Sequence, residues 1–355
     1  MEKRNIIVIG ASAGGFEAIQ QLIAHLPPDL DAAIFIVWHM APTVQGVMPQ
    51  ALRKLTTFPV AHAVSNELIR MNRIYIAPPD HHLLLENDHV RLTHGPKENR
   101  FRPAIDPLFR SAAYAYGNRV IGVILSGALD DGTAGLWTIK EYGGMALVQD
   151  PKEAPVSAMP ESAIRQVTID AIAPIAQLAT LLVQLVGQEV DPTSSIPVNQ
   201  DKKTKTEIRI AAEDTALGNT MAQFGQFSAY ACPDCHGVMI KIEEGSLVRY
   251  RCHTGHAYSA DSLLASVTGK IEESLYSALR GMDERVILLN QLGDQFAAAN
   301  KPRQAALYFQ LAQVDQQWSE LLRQAARIQP ALKPETPDDQ PTSSDGIVPA
   351  LSALL

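Results

Sequence analysis

Apolar runs alternate with amphipathic stretches over residues 1 to about 188 of the chain. The continuous apolar runs predict buried strands at residues 5–9, 32–38, 120–125 and 146–148. Helical periodicity between these runs predicts helices at residues 16–25 and 134–141. Apolar strands separated by helices are typical of a parallel sheet that is covered on both faces. The pattern therefore predicts an α/β domain at 1–188 with a doubly wound, mainly parallel, Rossmann-like sheet.

Two segments depart from that alternation, one within residues 1–188 and one after them. Residues 73–92 combine short strands with turn residues, which predicts a small antiparallel insertion, either a meander or a hairpin. Residues 189–227 begin with a polar stretch that contains Pro and Ser and shows no periodicity, which predicts a linker.

The rest of the chain divides into a Cys/His segment at 228–260, a strongly helical segment at 261–328 and a polar tail at 329–355. The helical segment predicts a hairpin that is broken near Asn300, and the tail is predicted to be disordered. An apolar seam with spacings of four and three runs along the first helix: Leu275, Leu279, Met282, Val286 and Leu289. We expect this seam to pack within the chain, and an intermolecular coiled coil or helix-mediated partner contact is the alternative.

Composition narrows the class of protein. The chain has 355 residues, with 30 Lys and Arg against 38 Asp and Glu, for a net charge of −8. An acidic chain is a poor candidate for binding phosphate backbones, so no nucleic-acid partner is expected. The N-terminal apolar run is too short for a signal peptide and no stretch is long enough to span a membrane, so a cytoplasmic location without membrane insertion is expected.

A Gly-rich turn follows the first predicted strand, and its sequence GASAGG at 10–15 matches the pattern G-x-S-x-G. In that pattern a sharp strand–turn–helix elbow exposes a serine hydroxyl above the sheet, which makes Ser12 a candidate nucleophile. The helix that follows would offer N–H groups to a developing oxyanion. The alternative is a phosphate-binding loop, although Ser12 then occupies the middle glycine position of G-x-G-x-x-G.

A serine nucleophile needs a base, and the base needs an orienting group. His39 directly follows the second predicted strand, and Asp130 and Asp131 follow the 120–125 strand. The carboxyl ends of parallel strands share one edge of the sheet, so these groups are expected to lie near Ser12. One carboxylate would accept a bond from the imidazole Nδ1–H and the other would serve as a helix N-cap or first-turn acid. A hydrogen-bonded strand-end histidine is the alternative interpretation of His39.

All three cysteines of the chain fall within 21 positions, in the pattern C-x₂-C, sixteen residues, C-x₃-H. Two tight turns that each supply two ligands are a common solution for tetrahedral zinc, which predicts a metal site at Cys232, Cys235, Cys252 and His256. His253 competes for the fourth position, but its adjacency to Cys252 disfavours chelation. Four protein ligands indicate a structural zinc in a ribbon-like module. The alternative is free thiols or a Cys232–Cys235 disulfide.

Residues 4–186 resemble the catalytic domain of CheB-type protein-glutamate methylesterases of bacterial chemotaxis. The resemblance rests on six stretches in order: VIGASAGG at 8–15, VWHM at 37–40, IAPPDHH at 76–82, NRFRPAID at 99–106, VILSGALDDGTAGL at 123–136 and QDPKEAPVSAMPESA at 149–163. It implies Ser12 as nucleophile, His39 as base and Asp131, rather than Asp130, as orienting acid. Similar ribbons are familiar on stand-alone domains of this kind.

The resemblance implies hydrolysis of glutamyl methyl esters on methylated chemoreceptors, with deamidation of glutamine as a companion activity and no cofactor for catalysis. Asn99, Arg100 and Arg102 lie in one of its motifs and would steer an acidic receptor helix, or else form salt bridges within their loop. Two features depart from the chemotaxis enzymes: the first strand begins at residue 5, so no receiver domain is expected, and Ala13 stands where those enzymes often have Thr. A catalytically silent signalling adaptor is the alternative function, and nucleotide binding at the Gly-rich turn is a third.

Overall fold

The computed structural model describes residues 2–40, 47–86, 88–190, 198–213 and 221–328. The tail that is predicted to be disordered lies outside these residues. Contacts divide the chain into two units, Met1–Lys270 and Ile271–Leu355, each described by itself below. No helix within the described ranges combines the length and apolar character needed to cross a lipid bilayer.

A seven-stranded sheet forms the centre of the first unit. Its strands are β2 (Ile6–Ala11), β3 (Ala33–Trp38), β4 (Val60–His62), β5 (Arg73–Ile76), β8 (Val120–Ile124), β9 (Met145–Gln149) and β10 (Ala171–Ala173). The strand order is β10-β9-β8-β2-β3-β5-β4, and every neighbouring pair is parallel. All six residues of β2 are buried, which is why its sequence is a continuous apolar run.

Helices cover both faces of this sheet, so the predicted doubly wound α/β fold is confirmed. The helices on one face are α1 (Gly15–Ala24), α2 (Val47–Leu52) and α6 (Ile175–Leu185). The helices on the other face are α3 (Ile105–Tyr116), α4 (Thr133–Glu141) and α5 (Ala158–Gln166), and a short 3₁₀ helix, Gly117–Arg119, links α3 to β8. Strand β2 lies between β3 and β8. The strands that directly follow it in the chain lie on its β3 side, and the later strands β8, β9 and β10 lie on its other side. Such a switch point places a crevice at the carboxyl ends of these strands.

The predicted insertion at 73–92 is smaller than expected. Strands β6 (His82–Glu86) and β7 (His89–Thr93) form an antiparallel hairpin, but residues 73–76 belong to the parallel sheet as β5, beside β3. Ile74, Tyr75 and Ile76 are fully buried, as a strand of a covered sheet requires. A separate two-stranded antiparallel sheet joins β1 (Glu2–Lys3) to β11 (Glu189–Val190).

The segment predicted as a linker contains a helix, α7 (Val198–Ala211), which packs against α3. Its buried face includes the charged side chains of Lys203 and Glu207, and Glu207 pairs with Arg249 at 2.8 Å and with Arg251 at 3.0 Å. A helix held by buried ion pairs lacks the apolar periodicity from which a helix is predicted.

The Cys/His segment forms a four-stranded antiparallel sheet in the order β12-β13-β14-β15. Its strands are β12 (Gln226–Ala231), β13 (Val238–Glu244), β14 (Leu247–Cys252) and β15 (Ala257–Ser259), preceded by a 3₁₀ helix at Met221–Phe224. We call residues 226–259 the ribbon. The ribbon leads directly into α8 (Ala260–Ala298).

The second unit contains the remainder of α8 and helix α9 (Pro302–Ile328), which form the predicted antiparallel hairpin with its break at 299–301. Leu279 and Leu289 of the predicted seam are buried, as are Ala305 and Ala312 of α9, and Arg285 of α8 pairs with Asp315 of α9 at 3.0 Å. Phe296 stacks on Tyr308 with ring centroids 5.2 Å apart. The predicted seam therefore packs within the chain.

Candidate active site and metal centre

Ser12 stands in the turn that joins β2 to α1, at the switch point of the sheet. Its backbone N–H donates to the Ser126 carbonyl oxygen at 3.0 Å, which ties the turn to the end of β8. Gly14 has φ 69°, a left-handed conformation that favours glycine. Gly127 lies so close that a Cβ added there would stand 2.9 Å from the Ser12 Cβ. Small residues are therefore required on both sides of this serine.

His39 follows β3 and reaches both other members of the predicted triad. Its Nδ1 lies 3.1 Å from the Ser12 Oγ, and its Nε2 lies 2.7 Å from the Asp131 Oδ2. The imidazole is stacked on Phe101 with ring centroids 3.6 Å apart and an angle of 11° between the rings. The side chain is 3% exposed, so the ring is held in one orientation by packing as well as by hydrogen bonds.

The two imidazole nitrogens have the opposite assignment to the one expected from the sequence. We expected Nδ1–H to face the acid, but the structure places Nδ1 at the serine and Nε2 at the acid. The cause is that the carboxyl ends of β2 and β3 lie side by side, since the His39 N–H donates to the Ala11 carbonyl oxygen at 3.2 Å. The ring nitrogen nearer the backbone therefore reaches Ser12, and the distal nitrogen reaches the loop after β8.

Asp131 is surrounded by hydrogen-bond donors. Its Oδ2 accepts from His39 and from the Ile105 N–H at 2.7 Å, and its Oδ1 accepts from the Asn99 Nδ2 at 2.9 Å. The Asp106 N–H lies 3.4 Å from Oδ1. The amides of Ile105 and Asp106 begin α3, so the positive end of that helix stabilises the Asp131 carboxylate.

Asp130 points away from the imidazole and contacts the ribbon. It accepts a hydrogen bond from the Ser259 Oγ at 2.7 Å, and burial raises the pKa of its carboxyl to about 7. The position before α4 that we expected an acid to cap is held by Gly132 instead. Adjacent carboxylates therefore serve different partners, because successive side chains in this turn point in different directions.

Asn99 and Asp106 lie beside Asp131 on the buried side of the site. Neither residue was assigned to the site from the sequence. Asn99 is 4% exposed and Asp106 is 2% exposed, and the Asn99 Nδ2 donates to the Asp106 Oδ2 at 2.9 Å. Burial, and then the charge of Asp131, raises the pKa of Asp106 to about 8. Both lie in the NRFRPAID stretch, which is the available signal, although that stretch suggests for Asn99 either a receptor contact or a role within its own loop.

An open cleft of about 850 Å³ lies in front of Ser12 and His39. The residues that line it are Ser12, Ala13, Gly14, Phe16, Glu17, Trp38, His39, Met40, Asp80, Lys97, Arg100, Phe101 and Arg102. Arg102 pairs with Asp80 at 2.8 Å, and its hydrogen bond lowers the pKa of the Asp80 carboxyl. Arg102 thus forms the loop salt bridge that we gave as the alternative, whereas Arg100 is exposed on the cleft.

The sequence profile of the CheB methylesterase family matches residues 7–182 of the chain. A Leptospira interrogans protein, to which the activities of protein-glutamate methylesterase and protein-glutamine glutaminase are provisionally assigned, is 40% identical over 180 residues, which are 50% of this chain and 93% of that protein. The chain belongs to the CheB methylesterase family. A Geobacter metallireducens protein-glutamate methylesterase/protein-glutamine glutaminase is 38% identical over 177 residues, 49% of this chain and 48% of its own length.

A solved structure agrees with this membership of the CheB family. The Thermotoga maritima CheB methylesterase catalytic domain is 33% identical to this chain, with a TM-score of 0.50. The match covers 52% of this chain and all of the Thermotoga chain. It therefore corresponds in extent to the parallel-sheet domain and leaves about half of the chain outside the comparison.

The ribbon brings the four predicted metal ligands of this CheB-family chain into one cluster. One ligand atom from each of Cys232, Cys235, Cys252 and His256 lies within 4.8 Å of all the others. The Cys235 and Cys252 Sγ atoms are 3.6 Å apart, and the His256 Nδ1 lies 3.7 Å from the Cys232 Sγ. Ligands at zinc–sulfur and zinc–nitrogen distances stand about 3.3–3.8 Å apart around a tetrahedral ion, so the side chains fit such an ion.

His253 lies outside the converging ligand set. Its ring packs against Gly237, where an added Cβ would meet the His253 Cε1 at 2.1 Å. The thiols of the three cysteines are free of disulfides. The Thr254 hydroxyl lies 3.0 Å from the Cys235 Sγ and 2.9 Å from the Cys252 Sγ, where it can hydrogen-bond to thiolates.

Proposed function

We propose that this chain hydrolyses glutamyl methyl esters with Ser12 as nucleophile, His39 as general base and Asp131 as the orienting acid. The observation that carries the proposal is the continuous hydrogen-bonded path from the Ser12 Oγ through His39 to the Asp131 Oδ2, with distances of 3.1 and 2.7 Å. The path opens onto the cleft at its serine end. Family membership supports the reaction class, and the path supports the proposed roles of the three groups.

In the first step the Ser12 Oγ attacks the carbonyl carbon of the ester while its proton passes to the His39 Nδ1. Asp131 accepts from Nε2–H, so it selects the tautomer whose Nδ1 can take the proton, and it stabilises the resulting imidazolium. The amides of Ala13 and Gly14, between Ser12 and the start of α1, are the candidate donors to the oxyanion.

In the second half of the reaction His39 returns its proton to the leaving methoxide, and methanol departs from a glutamyl-serine ester. A water molecule, deprotonated by the same Nδ1, then attacks that ester and releases the glutamate carboxylate and Ser12. With a glutamine side chain, ammonia leaves in place of methanol and the product is again glutamate. No step calls for a cofactor.

The proposed substrate is a methylated chemoreceptor or a related signalling protein, which implies a cytoplasmic location. Arg100 and Lys97 are exposed cations that line the cleft. Positive groups beside the nucleophile suit an acidic helix, because they raise the local concentration of a negatively charged partner. A catalytically silent adaptor is not favoured, because an adaptor has no need for an assembled and oriented serine–histidine pair.

Methanol release from a methylated receptor fragment tests the proposed function. Ser12→Ala is expected to abolish the release without changing the thermal unfolding midpoint, because it removes only the attacking oxygen. Ser157→Ala is the matched control, since this serine precedes α5 without a side-chain capping bond, and it should retain wild-type release. Release by Ser12→Ala at the wild-type rate would exclude the proposed nucleophile.

We also propose that the ribbon binds one structural zinc ion through Cys232, Cys235, Cys252 and His256. Four protein ligands would close the coordination shell, so the ion would stabilise the two turns and leave no open position for substrate. His256→Ala should lower the bound metal well below one equivalent, whereas His253→Ala should retain it. Equal metal content in the two variants would contradict the proposed ligand set.

We propose in addition that α9 mediates self-association. An apolar seam with spacings of four and three lies on its exposed side: Leu307, Leu311, Val314, Trp318 and Leu321, each between 38% and 55% exposed. The seam is nearly palindromic about Val314, so a second copy in antiparallel orientation would pair Leu307 with Leu321 and Leu311 with Trp318. The flanking Gln310 and Gln317 are uncharged, and Asp315 beside Val314 is paired with Arg285 at 3.0 Å.

Light scattering of the full chain tests this contact. A dimer is expected for the wild type, and Leu311→Glu is expected to give a monomer because it places a charge in the seam. Gln313→Glu is the control, since it adds the same charge outside the seam. A wild-type monomer at micromolar concentration would exclude a stable self-association.

A further inference from the structure

Asn99 connects the candidate triad to the ribbon through all of its side-chain hydrogen-bonding groups. The Nδ2 group donates to the Asp131 Oδ1 and to the Asp106 Oδ2, each at 2.9 Å. The Oδ1 atom accepts from the Ser259 N–H at 2.9 Å and from the Ser262 hydroxyl at 3.0 Å. The side chain is 4% exposed, so water does not replace these partners.

The orientation of this amide is fixed by its partners. If the amide were reversed, its oxygen would face the Asp131 carboxylate oxygen, which only accepts, and its NH₂ group would face the Ser259 N–H, which only donates. Only the observed orientation satisfies four hydrogen bonds, so each side of Asn99 constrains the other. A movement of the Ser259 and Ser262 donors would therefore displace Asn99 and alter its hydrogen bond to the Asp131 carboxylate.

The ribbon side of the connection is held by backbone pairing. The Asn99 N–H donates to the Ala257 carbonyl oxygen at 2.8 Å, and the Ala257 N–H donates to the Lys97 carbonyl oxygen at 3.2 Å. Ala257 begins β15, directly after the metal-ligand candidate His256, and β15 pairs with β14, which ends at Cys252. The segment that supports Asn99 is thus continuous with the predicted metal site.

Buried ion pairs anchor the ribbon beside the same segment. Glu98, the neighbour of Asn99, pairs with Arg110 of α3 at 3.1 Å and with Arg251 of β14 at 2.8 Å. Although burial opposes ionisation, the charges of Arg110 and Arg251 lower the pKa of the Glu98 carboxyl to about 2. Glu207 of α7 bridges Arg251 and Arg249 at 3.0 and 2.8 Å. The anchoring charges therefore persist throughout the neutral pH range.

From this geometry we propose that Asn99 is a positioning residue that holds Asp131 for His39, and that Ser259 at the end of the ribbon and Ser262 in the first turn of α8 hold Asn99 in turn. The ribbon then belongs to the apparatus that orients the triad, in addition to any role in recognising a partner. This inference rests on the proposed serine esterase function.

A double-mutant cycle on the full chain tests the proposal. Asn99→Ala is expected to lower kcat about 10²-fold with little change in KM, because a small displacement of the orienting acid impairs the chemical step. Ser262→Ala removes one bond to the Asn99 Oδ1 and is expected to lower kcat about 3- to 10-fold. In the Asn99→Ala background the Ser262→Ala change should have no further effect, because its effect passes through the amide. Ser277→Ala, an exposed serine of the same helix, is the control.

Two readouts separate this proposal from the function on which it rests. Methanol release reports the ester reaction, and the rate at which a fluorophosphonate labels Ser12 reports the triad without a glutamyl substrate. Failure of the wild type to release methanol while labelling persists would contradict the substrate alone. Unchanged labelling and kcat in Ser262→Ala, or additive losses in the double mutant, would overturn the role of Asn99. If Asn99→Ala does not fold, the labelling rate of Ser262→Ala is the test. A reduced rate supports the role of Asn99, and an unchanged rate contradicts it.

Discussion

The triad and the cysteine cluster are two small polar centres that the chain assembles in opposite ways. His39 lies 27 positions from Ser12 and 92 positions from Asp131, and a seven-stranded parallel sheet brings the three together. The four cluster ligands lie within residues 232–256, and two tight turns of one small sheet are enough to gather them. The first centre depends on topology, whereas the second depends on local spacing.

The two centres meet at β15 and the start of α8. Ser259 donates its N–H to Asn99 and its hydroxyl to Asp130, so this one residue contacts the environment of both acids that follow β8. A locally assembled ribbon therefore adds constraints to a site whose main parts come from distant strands. Substitutions in either centre therefore measure how far one depends on the other.

The largest effect is expected when the orienting acid is altered. Asp131→Asn should lower kcat about 10⁴-fold, because an amide NH₂ facing Nε2 favours the tautomer with its proton on Nδ1, which cannot accept the serine proton. Asp130→Asn is the matched control, since an amide oxygen still accepts from Ser259. We expect its kcat to stay within about 3-fold of the wild type. Steady-state methanol release measures both, and equal losses would contradict the assignment of Asp131.

Loss of the metal ligands is expected to have the next largest effect. Cys252→Ser should abolish stoichiometric metal binding and increase hydrogen exchange at residues 257–262, because the turns that precede β15 lose their cross-link. The Ser12 labelling rate should then fall about 10- to 100-fold, as is typical when support for an active group is removed. A metal-free protein with unchanged exchange and labelling would show that the two centres are independent.

A smaller effect is expected at the mouth of the cleft. Arg100→Glu should raise KM for an acidic receptor fragment about 10-fold at low ionic strength, with kcat nearly unchanged, and added salt should reduce the difference. Lys152→Glu makes the same charge change at an exposed residue outside the cleft and serves as the control. Equal KM values for the two variants would remove Arg100 from substrate recognition.

The smallest effect concerns the pH dependence of stability. Burial raises the pKa of Asp106 to about 8 and of Asp130 to about 7, so the folded state binds more protons than the unfolded state between about pH 4 and pH 8. The stabilising contribution is present at low pH and is lost as pH rises through 7 and 8. Urea unfolding should therefore give a lower midpoint at pH 8.5 than at pH 5.5, and Asp130→Asn should reduce this difference. An unaltered difference would contradict the raised pKa of Asp130.

The sequence predicts the elements that depend on continuous apolar runs or on short residue spacings. The strand runs at 5–9, 32–38 and 120–125 match β2, β3 and β8 to within one or two residues, because strands of a sheet covered on both faces are apolar throughout. The cysteine spacing likewise identifies residues whose ligand atoms converge. Both signals are carried by residue type and spacing alone.

Other features are invisible in the sequence because long-range polar contacts create them. Helix α7 was predicted as linker since its buried face carries Lys203 and Glu207, whose partners lie more than 40 positions away. The motif suggests a receptor contact or a loop contact for Asn99, whereas its partners Ser259 and Ser262 are 160 and 163 positions distant. The nitrogen of His39 that faces Asp131 also follows from strand proximity, which no spacing encodes.

Intact-mass and peptide mass spectrometry after fluorophosphonate treatment of the folded, full-length protein tests most directly whether Ser12 is an activated nucleophile. We predict one adduct, located on Ser12, that forms at a rate strongly reduced by His39→Ala and by Asp131→Asn. An adduct on a different residue, or the absence of any adduct in folded wild-type protein, would contradict the assignment of Ser12 as an activated nucleophile.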